Sequence, residues 1–355
     1  MRDPRVFRRL LSGGDLGLAE SYMDSEWESP DLAAVIALGA ANDAVLARTL
    51  AGTAWARLAG RLVHKLRPNS KRGSRRNIAA HYDLGNDFYG AWLDPSMTYS
   101  AGLFASASDD DLAAAQDRKY RRIAALADIA RGHHVLEIGC GWGGFCTWAA
   151  REIGCRVTAI TISREQYDFT RARVRAEGLE DKVEVRLQDY RDLSGSYDAI
   201  VSIEMLEAVG EAYWPVYFRQ LRARLRPGGK AALQVITIAD ERFDDYRRSV
   251  DFIQRYIFPG GMLPSPEKLT GLTAEAGLAL SSVECHGGDY ARTLRLWRRR
   301  FEQAWPAIQR GSQGRFDSRF RRMWRYYLAY CEAGFDAGRI DLLHLTLQRE
   351  TQPRQ

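Results

Sequence analysis

The chain has 355 residues, 46% hydrophobic and 27% charged, with a formal net charge of +6; this is an ordinary globular composition, long enough for about two domains, and the basic excess favours a phosphate-bearing partner, either nucleic acid or an anionic membrane surface. No stretch of ~18 uncharged apolar residues occurs, so no transmembrane helix is expected, and "MRDPRVFRRLLSGGD" lacks the apolar core of a secretory signal. The five cysteines are odd in number and form no C-x-x-C pair, so neither a disulfide framework nor a metal is expected, and a reducing cytoplasm fits.

Residues 1 to about 66 read as helical: "PDLAAVIALGAANDAVLARTLAGTAWARLAGRLVHKL" is Ala/Leu-rich with a polar face and no strand signal. A linker-like segment, "RPNSKRGSRRN", follows. Arg61, Lys65, Arg67, Lys71, Arg72, Arg75 and Arg76 occur there without an acid between them. They read as a solvated linker or as a docking patch for lipid phosphates, worth about 1 kcal/mol per basic residue near an anionic surface. Residues 1–75 are thus expected to be a small N-terminal helical domain with a basic linker, and 76–355 the main domain.

From about residue 113 to 284 helices and strands alternate. "AAAQDRKYRRIAALADIA" is helical; "HHVLEIG", "RVTAITIS", "KVEVRLQD", "SYDAIVSIE" and "KAALQVITIA" read as strands, with helical segments between them. The last of those, "YWPVYFRQLRARLRPGG", reads as a helix closed by Pro-Gly-Gly. The βαβα order predicts an α/β fold with a mainly parallel sheet, its core at about 127–284. From "TLRLWRRRFEQAW" onward the chain again reads as helical.

"VLEIGCGWGGF" places Glu137, Gly139, Gly141, Gly143 and Gly144 directly after the first strand. Glycines there allow a tight turn and close approach to a ligand; NAD, flavin and S-adenosylmethionine all use such turns. The acid inside an E-x-G-x-G-x-G run tilts the choice to S-adenosylmethionine. So does Asp189 of "LQDY", at a strand end where it can accept from an adenine amino group. The second strand lacks the terminal acid that usually holds ribose. A fourth strand runs into "SIEMLEAVG", where Glu204 and Glu207 stand among apolar neighbours and need partners or a job.

Several blocks in order, "HYDLGNDFYGAWLDPSMTYSAGLF", "LEIGCGWGGF", "TISREQ", "SIEMLEAVG", "DFIQRYIFPGGMLPS" and "GGDYARTLRLW", resemble the cyclopropane-fatty-acyl-phospholipid synthase family, which includes the mycolic acid cyclopropane synthases. The resemblance runs from about residue 75 to 345. It implies a Rossmann-like class I methyltransferase that uses S-adenosylmethionine to methylate the double bond of unsaturated acyl chains in phospholipids, giving cyclopropane fatty acids. It implies cofactor contacts from Tyr99, Ser100, Glu137, Gly139, Gly141, Thr161, Gln166, Asp189 and Tyr190. Glu207 and Tyr290, with Gln234 and Ile236 on the strand after Pro-x-Gly, match the positions that hold a bicarbonate ion beside the transferring methyl. The family often has a cysteine and a histidine where this chain has Ala101 and Gln234. "EAVG" with Gln234 looks like the plant-type branch.

Methylation of an alkene needs no base at first. It leaves a carbocation that aromatic faces stabilise, by about 2 kcal/mol when desolvated; Tyr190, Phe252, Tyr256, Phe258 and Tyr290 are the candidates. Loss of a proton from the new methyl gives a ring; loss from a chain carbon gives a methyl-branched or methylene product. Glu207 is expected to position or be the proton acceptor, and Glu204 to be structural or a cofactor-side contact. "DFIQRYIFPGGMLPS" is expected to form a lid, so that 240–355 hold the lipid lid and C-terminal helices. The implied partners are an anionic phospholipid surface at the inner face of the membrane, the acyl chain and a second copy in a homodimer. A small-molecule N- or O-methyltransferase fits the Phe/Ile-rich lid poorly; a non-catalytic lipid-binding partner is a remaining alternative. Nucleic acid is not expected, for want of a base-reading element.

Overall fold

The computed structural model describes residues 1–42, 69–82, 84–106 and 108–351. Its strands are β1 (His134–Ile138), β2 (Arg156–Thr161), β3 (Val183–Leu187), β4 (Tyr197–Ile203), β5 (Leu225–Ile238), β6 (Ala279–Cys285) and β7 (Ile340–Gln348). Its α-helices are α1 (Arg5–Met23), α2 (Leu32–Ala41), α3 (Lys71–Tyr82), α4 (Asn86–Gly90), α5 (Leu112–Leu126), α6 (Gly144–Glu152), α7 (Arg164–Ala176), α8 (Trp214–Arg224), α9 (Asp240–Tyr246), α10 (Pro266–Glu275), α11 (Gly287–Gly311) and α12 (Ser318–Asp336).

The strands form one sheet in the order β3-β2-β1-β4-β5-β7-β6. β1 to β5 run parallel, and β7 runs antiparallel to both β5 and β6. The chain moves outward from β1 to β3 on one side and from β4 on the other. That reversal opens a crevice at the carboxyl ends of β1 and β4, where ligands bind in such sheets. Apolar residues of β1, β4 and β5 pack against α5 and α6 on one face and α8 and α10 on the other.

Three local readings differ from the structure. The helix expected to end at Pro-Gly-Gly stops at Arg224, and β5 begins at Leu225 with ψ 138°; the next residue, Arg226, precedes Pro227 and is driven out of the helical region, so the helix does not run on to the proline. The segment read as a linker is helical from Lys71. The Ser70 hydroxyl accepts from Gly73 N–H, a cap that starts the helix. The C-terminal stretch read as wholly helical ends in strand β7, "IDLLHLTLQ", inserted between β5 and β6. Its polar Asp341, His344 and Thr346 hide the buried run of Leu342, Leu343, Leu345 and Leu347.

A third apolar cluster is largely aromatic and lies among the helices. It joins Tyr22, Met23 and Trp27 to Tyr89 and Trp92, and to Trp297, Phe301 and Trp324 of α11 and α12. Arg322 ties the N-terminal helices to α12: its guanidinium lies 3.9 Å from the Tyr22 ring centre and donates to Trp27 O at 2.7 Å and Glu28 at 2.5 Å. Within the described residues α1 and α2 therefore share a core with the C-terminal helices. Residues 43–68, with Arg61, Lys65 and Arg67 of the basic run, lie outside the described residues. No described helix is long and apolar enough to cross a membrane.

Candidate active site

A cleft of about 1090 Å³, counting its open mouth, lies at the carboxyl ends of β1, β2 and β4. Gly139 and Gly141 form its floor with φ of 85° and 53°, the left-handed region that glycine enters freely. A Cβ on Gly141 would meet no protein atom within 4 Å, so the space above it is open for a ligand. A Cβ on Gly144, at the start of α6, would stand 2.2 Å from the Tyr120 hydroxyl.

All nine residues expected around the cofactor line this cleft. Glu137 is buried with Oε2 unpartnered, and burial pushes its carboxyl up to about 8. Tyr190 has a buried hydroxyl without a partner. The Thr161 hydroxyl donates to Gln166 Oε1 at 2.9 Å, which leaves the Gln166 amide N–H groups for other bonds. Asp189 is gripped by Arg191 at 2.7 and 2.8 Å, and these contacts hold its carboxyl below the usual range against the opposing effect of burial. Tyr99 shares a 2.6 Å hydrogen bond with the Tyr327 hydroxyl. Ser100 Oγ accepts from Lys119 Nζ at 2.6 Å, and its carbonyl accepts from Gln116 at 2.7 Å. Unsatisfied buried polar atoms, open space above glycine and a mix of acids and amides fit a ligand with an amino acid end, a ribose and an adenine.

The second half of the site is organised by Glu204. Its Oε1 accepts from Ala101 N–H at 2.9 Å and from Gln234 Nε2 at 2.7 Å; its Oε2 accepts from the Tyr290 hydroxyl at 2.5 Å. Gln234 is fixed in turn by buried His344, whose ring Nε2 lies 2.8 Å from Gln234 Oε1. Glu204 sits at φ 49°, a conformation costing a non-glycine residue about 1–2 kcal/mol. The turn is held by its N–H, which donates to Gln234 O at 2.8 Å. Burial pushes the Glu204 carboxyl up, opposed by Tyr290, Ala101 N–H, Gln234 and the positive charge of Lys119.

Glu207 occupies a different niche. Its Oε1 accepts from Ile236 N–H at 2.6 Å, its Oε2 is sealed without a partner, and its backbone carbonyl accepts from Met262 N–H at 2.8 Å. Burial first, and the Glu204 charge second, push its carboxyl up to about 8. The expected quartet thus divides. Gln234 and Tyr290 bond Glu204, while Ile236 bonds Glu207. Tyr290 also stacks on Phe335 at 4.5 Å.

Sequence reasoning missed Lys119 and His344 and gave Glu204 no share in the Tyr290 and Gln234 contacts. Lys119 is fully buried on α5, at the spacing of Gln116, Tyr120 and Ile123, which are also buried; a lysine on the apolar stripe of a helix was the available signal. Of the aromatic candidates, Tyr190 lines the cleft, whereas Phe252 packs on Tyr326 at 4.8 Å and Tyr256 donates to Glu20 at 2.7 Å. The Pro-Gly-Gly turn expected as a lid is anchored from both sides: Asn69 Nδ2 donates to Gly260 O at 2.7 Å and Gln254 Nε2 to Gly261 O at 3.0 Å. Glu284, His286 and His344 present potential ligand atoms within 4.8 Å of one another. Glu284 is already paired with Arg122 and His344 with Gln234.

The sheet order, the glycine floor at the crevice between β1 and β4 and the flanking acid and amide groups define a class I S-adenosylmethionine-dependent methyltransferase. The family model described as "Mycolic acid cyclopropane synthetase" matches residues 69–345, and the chain belongs to that family. It is 42% identical to a tuberculostearic acid methyltransferase of Mycobacterium tuberculosis, over 99% of this chain and 83% of that protein. It is 37% identical to the cyclopropane-fatty-acyl-phospholipid synthase of Escherichia coli, over 98% of this chain and 87% of that protein. A crystal structure of a mycolic acid cyclopropane synthase complexed with SAH and CTAB matches with a TM-score of 0.72 and 28% identity, covering 77% of this chain and 98% of that one.

Proposed function

We propose that the chain transfers a methyl group from S-adenosylmethionine to the double bond of an unsaturated fatty acyl chain of a membrane phospholipid. The observation that carries this reading is the carboxylate cluster of Glu204, Gln234 and Tyr290 beside the cleft, next to an apolar cluster that includes Tyr99, Ile236, Phe258, Trp297 and Phe335. A methylated alkene is a cation in need of a dry, aromatic surround and one proton acceptor, and both are supplied here.

Bound S-adenosylmethionine supplies an electrophilic methyl; the chain's residues do the rest. Glu137, Gln166 and Asp189, which line the cleft, would hold its polar ends, and Tyr99 and Ser100 bound the cleft near Lys119. Positioning the alkene is the main catalytic term. The aromatic cluster shields the cation from water, and Glu207 holds the edge of β5 at Ile236 and the turn at Met262. Proton loss then fixes the product.

The 42% identical relative is named for methyl branching and the 37% identical one for ring formation. The higher identity to the relative named for methyl branching supports the methyl-branched or methylene product, which we take as the first reading, with cyclopropane as the second. The basic segment before residue 77 supports peripheral docking on anionic lipid. Arg298 and Arg299 on α11 are paired with Glu332 and Asp110 and add little to such a dock. Purified protein given methyl-labelled cofactor and vesicles of monounsaturated phospholipid should place label in the acyl chains. Proton NMR then separates ring protons from olefinic ones. Label confined to head groups, or none in lipid, would refute the proposal.

A further inference from the structure

The residues that resemblance assigns to an exogenous bicarbonate have no donors left for one. Ala101 offers no polar side chain, and its N–H is taken by Glu204, as are the Gln234 amide and the Tyr290 hydroxyl. Ile236 N–H is taken by Glu207. Three donors converge on one carboxylate, which is the bonding pattern of a small oxyanion already in place. We infer that the Glu204 side chain is this site's built-in oxyanion, replacing bicarbonate, and is the group that receives the proton.

This rests on the methylation reading above. In the step assigned to Glu204, a C–H bond on the carbon next to the cationic carbon breaks, its electron pair becomes the π bond of the branched alkene (or the ring-closing σ bond where the hydrogen leaves the new methyl), and the proton goes to a Glu204 oxygen. The positive charge leaves the acyl chain with that proton, so no further reactant is required.

Two further features support the assignment. Glu204 lines the cleft directly, whereas Glu207, Gln234 and Tyr290 do not. Its left-handed backbone, unusual for glutamate, turns the carboxylate toward donors from the segment around Ala101, from β5 and from α11. Among the neighbouring ionisable groups, Lys119 on α5 favours the charged form of Glu204, and the Glu204 charge in turn raises Glu207. His344, behind Gln234, is held neutral by burial.

The test compares wild type with Glu204→Gln and Glu204→Gly. Acyl methylation is measured in buffer stripped of bicarbonate and after its restoration, and binding of ¹³C-bicarbonate is followed by NMR on the same proteins. Wild type should turn over equally in both buffers and bind no bicarbonate. Glu204→Gln should keep its cofactor affinity and lose turnover about 10²–10⁴-fold. Glu204→Gly, unstrained at this φ, should bind bicarbonate and regain turnover when it is added. Bicarbonate bound to wild type, a wild-type rate that rises with it, near-normal turnover by Glu204→Gln, or no bicarbonate binding by folded Glu204→Gly would each overturn the inference. Absence of acyl methylation by wild type would instead refute the parent reading, and the NMR titration would still decide the anion question.

Discussion

Replacing Glu207 by glutamine should change how stability depends on pH more than it changes stability itself. In the folded protein one carboxyl oxygen accepts from Ile236 N–H and the other is sealed without a partner, and burial holds the group near 8 against an ordinary value of 4.5. Between those values the folded state keeps a proton that the unfolded chain has released. Its contribution is therefore complete below about pH 4.5 and is lost as pH rises toward 8. The slope is about 1.4 kcal/mol per pH unit, which sums to at most about 5 kcal/mol over the window. Glutamine mimics the protonated acid and keeps the oxygen that Ile236 uses, but adds an amide donor with no partner, at a cost of about 1–3 kcal/mol. Glu207→Gln should thus be the less stable protein at pH 5 and should match or exceed wild type at pH 8. Urea unfolding of both proteins at several pH values across this range measures the difference directly. A wild-type-minus-variant gap that stays constant with pH would refute the claim that Glu207 is held protonated.

Three further outcomes are expected, two of them from the same site. Glu137, near 8 with an unpartnered oxygen in the cleft, holds a proton at pH 7; cationic S-adenosylmethionine should drive that proton off, seen as buffer-dependent heats in calorimetric titration and abolished in Glu137→Gln. Gly144→Ala would set a Cβ 2.2 Å from the Tyr120 hydroxyl and should lower the melting temperature by several degrees or prevent folding, whereas an unchanged melting curve would mean the start of α6 can shift. Vesicle co-sedimentation should show binding to anionic lipid at low salt that fades as added salt shortens the Debye length below about 10 Å; equal binding to neutral vesicles would count against an electrostatic dock.

The parallel half of the sheet was legible because β1, β2, β4 and the inner part of β5 are buried on both faces and read as continuous apolar runs between glycine turns. β7 was not, because it mixes polar residues into a short run and reaches its partners β5 and β6 only after two long helices. Helix α3 was hidden by glycine, serine and four basic residues. Its start depends on the Ser70 cap, and its place is fixed by the Asn69 contact with Gly260, 191 positions along the chain. Of the residues expected around the cofactor, Glu137, Gly139, Gly141 and Asp189 sit at a strand end or in the glycine turn, positions that local pattern identifies, whereas Tyr99 and Ser100 lie in a loop and Gln166 in α7, and only the resemblance pointed to them.

Glu204 and Glu207 show where local pattern stops. Three residues apart in one motif, they are chemically identical in the sequence. Their difference is supplied from elsewhere: Glu204 receives an N–H from Ala101, an amide from Gln234 on β5 and a hydroxyl from Tyr290 on α11, while Glu207 receives one N–H from Ile236. Three donors and the charge of Lys119 oppose the upward push of burial on Glu204, while a single N–H opposes it on Glu207. Ionising either carboxyl also makes ionising the other harder, since Glu204 raises Glu207. The arrangement therefore turns the three-donor carboxyl toward the cleft and seals its neighbour away with a single donor, the separation of roles that paired carboxyls achieve when their surroundings differ. For a reaction that creates a cation on an apolar chain, the position of the one carboxyl that faces the cleft selects which hydrogen can leave.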